Sequence, residues 1–137
     1  MCRHFSLLAL ILSVSAPSFA SVVVYTDRLH PPANATAETR VIYLDETERL
    51  QQKMFGTLSK DSALAERQAQ SSLRAADWPQ KQAALAQAYQ GLLQAWQLGL
   101  QKYPAVVFDD RDVVYGTADV RGAQAQRAAK VLAGAQP

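Results

Sequence analysis

The chain has 137 residues, 14 of them basic and 12 acidic, for a net charge of +2 near neutral pH. That is the length of a single domain, and no basic block interrupts it, which argues against a nucleic-acid interface. Its one cysteine, Cys2, precedes the first apolar run. The rest of the chain therefore holds no disulfide, no CxxC redox pair, no thiolate metal site and no cysteine nucleophile.

Arg3 and His4, an apolar run over residues 7–14 and the small-x-small triplet Ser18-Phe19-Ala20 have the layout of a cleaved secretory signal over residues 1–20. The run is shorter than the about 20 residues a membrane-spanning helix needs. Cleavage after Ala20 leaves 117 residues, 21–137, with one positive charge in excess. The expectation is an exported domain, periplasmic in a two-membrane bacterium, with no integral membrane span. A domain of this size buries roughly two thirds of its unfolded surface and needs no staple.

Residues 21–26, Ser-Val-Val-Val-Tyr-Thr, are β-branched and apolar almost throughout, the pattern of a strand buried on both faces. Residues 27–39, with His30-Pro31-Pro32, show little periodicity and read as a loop. Arg40-Val41-Ile42-Tyr43-Leu44 is a second strand. Asp45 and Glu48 have capping-box spacing at a helix start. Leu50, Met54 and Leu58 form that helix's apolar stripe, with a break near Gly56 and Ser59. A second helix is predicted over 60–76, its thin stripe being Ala65, Ala69, Leu73 and Ala76.

Asp77-Trp78-Pro79-Gln80 signals a third helix running to about Gln101, with Asp77 as cap and proline in the first turn. Leu85, Tyr89, Leu92 and Trp96 fall on one face and are expected to be core. Gly91 and Gly99 each cost about 1 kcal/mol of helix propensity and are expected to allow close approach to a sheet. A hairpin follows over 105–108 and 113–115, and a last helix over 120–133 has Ala125, Ala128, Ala129 and Leu132 as its inner stripe and Gly134 as its stop. With the first strand pair parallel and the second antiparallel, the expected fold is α/β with a four-stranded mixed sheet.

Few residues carry chemistry. His30, flanked by prolines and with Asp27 as its nearest acid, is expected to be an exposed loop residue. Asp109, Asp110 and Asp112 lack the glycine and ligand spacing of an EF-hand loop and fit a solvated turn, where aspartates are favoured. No nucleophile elbow accompanies the serines. No enzyme activity, metal or cofactor is expected.

The stretch Lys102 to Val120, K-Y-P-A-V-V-F-D-D-R-D-V-V-Y-G-T-A-D-V, resembles a family of small exported proteins encoded in bacterial integrating conjugative elements. Val22 to Thr26, the Tyr43-Leu44-Asp45 junction and Gln97-Leu98-Gly99-Leu100 extend the likeness. The resemblance implies a thioredoxin-like sheet with a helical insertion between strands 2 and 3, in which the proline opening the second strand pair is usually cis. It also implies a non-enzymatic component of a conjugative, type IV secretion-like apparatus, whose partners are other apparatus proteins. Here the first strand runs into Asp27-Arg28-Leu29-His30-Pro31 instead of a cysteine motif, so redox activity is not expected. On the same resemblance, Tyr103 and Pro104, with Asp27 and His30 in the loop after Thr26, form the candidate partner-binding edge. A periplasmic chaperone or peptide-binding domain for exported subunits is the alternative.

Overall fold

The computed structural model describes residues 20–135. The predicted leader, residues 1–20, therefore lies outside the described residues except for Ala20. The described residues form a mixed α/β fold in the order β1 (Val22–Thr26), β2 (Thr39–Tyr43), α1 (Glu46–Phe55), α2 (Ser62–Leu73), α3 (Trp78–Gln97), β3 (Ala105–Phe108), β4 (Asp112–Tyr115) and α4 (Val120–Gly134). None of these helices is long and apolar enough to cross a membrane.

The two most apolar strands take the centre of a sheet ordered β2-β1-β3-β4. β1 is parallel to β2 and antiparallel to β3, and β3 and β4 form an antiparallel hairpin. Alternate residues of β1 and β3 face opposite layers. Val24, Val106 and Phe108 pack against Val120 and Ala123 of α4. Val23, Tyr25 and Val107 pack against Ala95 of α3 on the other side. A parallel pair needs a long crossover, usually a helix. Here residues 27–38 cross without one and are pinned halfway, because Ala33 donates to the Ala118 carbonyl and accepts from Val120 N, both at 3.0 Å.

At the hairpin turn Asp109 and Asp110 both have φ near +50°, the left-handed pair that a type I′ turn requires. Arg127 of α4 clamps it, donating to Asp109 at 3.0 Å and to Asp112 at 2.9 Å. Its guanidinium also lies 5.0 Å from the centre of the Phe108 ring.

The helices differ from their sequence patterns in ways that matter for the surface. α1 stops at Phe55, before a left-handed Gly56, so Leu58 lies outside it. Asp45 makes no capping bond to α1; its Oδ2 accepts from Arg28 N at 3.2 Å instead. α2 starts later than expected, where Asp61 caps Leu64 N at 2.9 Å, and it buries no residue fully. Asp77 likewise caps nothing and pairs with Lys81 at 3.0 Å. α3 ends at Gln97 rather than Gln101 because Gly99, at φ +67°, closes a Schellman motif. Leu100 N donates to Ala95 O and Gly99 N to Trp96 O. Gly99 therefore serves the turn and not sheet contact, since a Cβ there would meet nothing.

In α4 the inward positions are Val120, Ala123 and Arg127, while Ala125, Ala128, Ala129 and Leu132 are exposed. A helix this rich in alanine has no unique apolar stripe, and its entry beneath Phe108 selects the face. Gly134 is its last residue and not a stop beyond it.

Gly91 does approach the sheet. A Cβ at this position would lie 2.7 Å from Cγ2 of Ile42 on β2. Gly91→Leu is expected to cost about 2–3 kcal/mol by overpacking, despite about 1 kcal/mol of regained helix propensity. Ile42→Ala in the same chain should recover part of that loss, and a urea double-mutant cycle measures the coupling. Strictly additive losses would mean the two positions are not in contact.

The start of α1 carries a small charge network. Glu46 accepts from Arg28 at 2.7 Å and from Arg49. The Arg49 hydrogen bond, opposed by burial and reinforced by Arg28, holds its carboxyl at about 2 against a usual 4.5. A depressed acid stabilises above its unfolded pKa, and that stability disappears as the pH falls toward the folded value. Between about pH 5 and pH 2 this group should withdraw on the order of 1–2 kcal/mol, and Glu46→Gln should flatten that part of the profile. Equal slopes for both chains in urea titrations would show that the arginine contacts contribute nothing.

Candidate functional site

The register that sets Tyr25 opposite Ala105 brings the Tyr103–Pro104 segment to the sheet end where β1 leads into Asp27. The Tyr103–Pro104 peptide is cis. The Pro104 carbonyl accepts from Gly116 N at 2.9 Å, which ties this corner to the end of β4. Pro104 is half-buried, whereas Tyr103 is exposed.

Asp27 and His30 close the loop on themselves. Asp27 is buried, and its Oδ1 accepts from Leu29 N at 3.1 Å and His30 N at 2.9 Å while lying 2.6 Å from His30 Nδ1. Burial pushes this carboxyl up, but the hydrogen bonds from the His30 ring and from both backbone amides outweigh it and hold the group below the usual aspartate range. Thr26, also buried, donates its hydroxyl to the His30 carbonyl at 2.5 Å. The polar groups of this turn are thus engaged with one another. Among the described residues no cluster of three histidine, cysteine or acidic side chains is placed to hold a metal ion.

Beside this corner, on the α3 side of the sheet, lies an open groove of about 620 Å³. Tyr89, Leu92, Leu93 and Trp96 of α3 form one wall, the segment 100–103 another, and Leu44, Asp45 and Glu48 the third. Of the four predicted edge residues, Tyr103 lines this groove; Pro104, Asp27 and His30 do not. Trp96 is 77% exposed, Leu93 55% and Tyr103 51%. One carboxylate oxygen, Asp45 Oδ1, is buried without a hydrogen-bond partner. Tyr89 is held in place by Gln51, whose amide donates to its hydroxyl at 2.8 Å.

The aromatic wall corrects the expected core. Of the stripe expected to face inward, Leu85 is half-buried but Tyr89, Leu92 and Trp96 are exposed, and the residues against the sheet are the small ones, Gly91 and Ala95. At 100° per residue the two stripes lie roughly 110° apart around the helix. Gly91 fixes the choice, because only the glycine-bearing face lets α3 come within reach of Ile42. The large residues are thereby rotated toward the groove. Their role was missed in the sequence, although the alternation of alanine and glycine at three- and four-residue steps was a readable sign of the contact face. Trp78, in contrast, packs against Phe55 with ring centres 6.1 Å apart.

Chemically the groove presents apolar surface, three aromatic side chains (Tyr89, Trp96 and Tyr103) and an acidic corner. That is a surface for contact, with Trp and Tyr in the composition favoured at binding hot spots. Comparison with curated proteins and with solved structures finds no match to this chain. A family model described as protein of unknown function (DUF1525) matches residues 19–130, and the chain belongs to that family.

Proposed function

We propose that this protein is a non-enzymatic, exported component of the conjugative transfer apparatus of an integrating conjugative element, working in the periplasm by protein–protein contact. The observation that carries the reading is the groove, which brings three apolar side chains that are more than half exposed, Trp96, Leu93 and Tyr103, together on one rim. Contiguous exposed apolar surface of this kind marks interaction sites. The likeness of Lys102 to Val120 to conjugative-element proteins supplies the setting.

The finer fold reading belongs with this proposal. A parallel β1–β2 pair, an antiparallel β3–β4 pair and a cis proline ahead of β3 are consistent with a thioredoxin-like domain. On that reading α1, α2 and much of α3 form a helical insertion between β2 and β3. The segment after β1, where such domains keep their cysteines, is instead the closed Asp27–His30 turn.

The test replaces Trp96 with the photo-crosslinking residue benzoylphenylalanine in donor cells carrying the element. Covalent capture of one or a few transfer-apparatus subunits is the expected result. A broad spread of unrelated exported proteins would favour a peptide-holding chaperone, and no adduct at all would overturn the contact reading.

A further inference from the structure

We infer that the groove selects a polypeptide segment that seats an aliphatic or aromatic side chain against Trp96 and Leu93 and places a lysine or arginine against Asp45 and Glu48. This rests on reading the groove as a partner contact and specifies the chemistry of the partner.

The charge distribution around the groove carries the argument. Three acids sit at the start of α1: Asp45, Glu46 and Glu48. Glu46 is saturated by Arg28 and Arg49 and does not line the groove. Asp45 and Glu48 do. Asp45 receives one hydrogen bond, from Arg28 N to Oδ2 at 3.2 Å, and its Oδ1 is buried and unpartnered. Glu48 is exposed and enters no ion pair among the described residues.

Lys102 is the one cation lining the groove. Its ammonium is 5.7 Å from the ring centre of Tyr115, which is not part of the lining. The groove thus offers an apolar wall beside an acidic corner whose two carboxylates form no direct ion pair among the described residues. A cationic N–H donor makes a charge-assisted bond to a carboxylate about twice as strong as a neutral one. A segment carrying an apolar anchor next to a lysine or arginine matches both the apolar wall and the acidic corner. An acidic segment would bring like charge against Asp45 and Glu48.

The test uses three capped peptides, acetyl-Gly-Leu-Trp-Leu-Lys-Gly-amide and its versions with glutamine or glutamate in place of lysine. Each is titrated into the 15N-labelled 21–137 chain and followed by amide and indole shifts. Shifts should centre on Trp96, Leu93 and Tyr103, and the lysine peptide should bind about fivefold tighter than the glutamine peptide. The glutamate peptide should be weakest, and added salt should shrink the differences. Asp45→Asn keeps an acceptor for Arg28 N and should collapse the lysine preference. Glu48→Gln, at an exposed position, should reduce the preference without touching the fold.

Equal binding of the three peptides, preference for glutamate, shifts away from the groove or no binding would each overturn the inference. The outcome is separable from that of the contact reading. A groove indifferent to lysine that still crosslinks from position 96 to a transfer subunit discards the charge rule alone.

Discussion

Truncating Phe108 to alanine is expected to lower the unfolding free energy by about 4 kcal/mol, the cost of removing a large buried aromatic whose cavity cannot collapse. Phe108 is 1% exposed and packs on the α4 face of the sheet among Val24, Val106, Val120 and Ala123. Two of those neighbours belong to strands held on both sides, so the backbone cannot close the void. The loss also reaches the hairpin turn. The Phe108 ring is the platform for the Arg127 guanidinium, which lies 5.0 Å from its centre and ties Asp109 to Asp112.

Small domains have about 5–15 kcal/mol of stability in total, so the variant should be near its folding limit at 37 °C and is best measured by urea unfolding at low temperature. Arg127→Met separates the two contributions. It keeps much of the apolar stem over the ring, removes partly exposed charge pairs and should cost about 1 kcal/mol. A loss below about 1.5 kcal/mol for Phe108→Ala would show that the α4 layer does not pack the sheet as described.

How far the fold was legible follows from which signals were unique. β1 and β3 have almost no polar residue, and both their existence and their central place follow from that; the observed strands differ from the expected ones by one residue at most. The antiparallel pairing of β3 with β4 follows from connection length, since only residues 109–111 separate the two strands. Helix faces were less legible because alanine contributes so little contrast. In α4 the alanines surround the helix, and the inward face is set by Val120 and by a charged residue, Arg127, reaching back to the hairpin. In α3 the bulkiest stripe was taken as the buried one, whereas close packing against an edge strand requires the smallest side chains there.

The caps failed for a different reason. Asp45 and Asp77 have capping sequences, but each finds a better partner, Arg28 N for one and Lys81 for the other. The candidate edge was readable in part: the sequence pointed to Tyr103 and the corner around it, but the groove depends on the rotation of α3, which only the Gly91–Ile42 approach decides.

Replacing Trp96 with alanine is expected to weaken the partner complex by about 30-fold or more while changing stability by less than about 0.5 kcal/mol. The separation of the two effects follows from its position. Trp96 is 77% exposed, so little of its surface contributes to the monomer's core. Its backbone carbonyl, not its ring, takes part in the Schellman turn that ends α3, so alanine preserves the helix end. A large, stiff ring standing beside Tyr103 and Leu93 is the kind of side chain that becomes fully desolvated on docking and then dominates the binding energy.

The comparison variant is Leu132→Ala, 71% exposed on α4 across the sheet from the groove. It removes a similarly exposed apolar side chain and should change neither capture of the partner nor transfer of the element. Both variants can be introduced into donor cells in place of the wild-type chain, with transfer frequency and the yield of co-purified partner as readouts and a thermal melt as the check on folding. A Trp96→Ala chain that melts normally and still supports full transfer and full recovery of the partner would place the functional surface elsewhere, and the Leu132 face would become the next to examine.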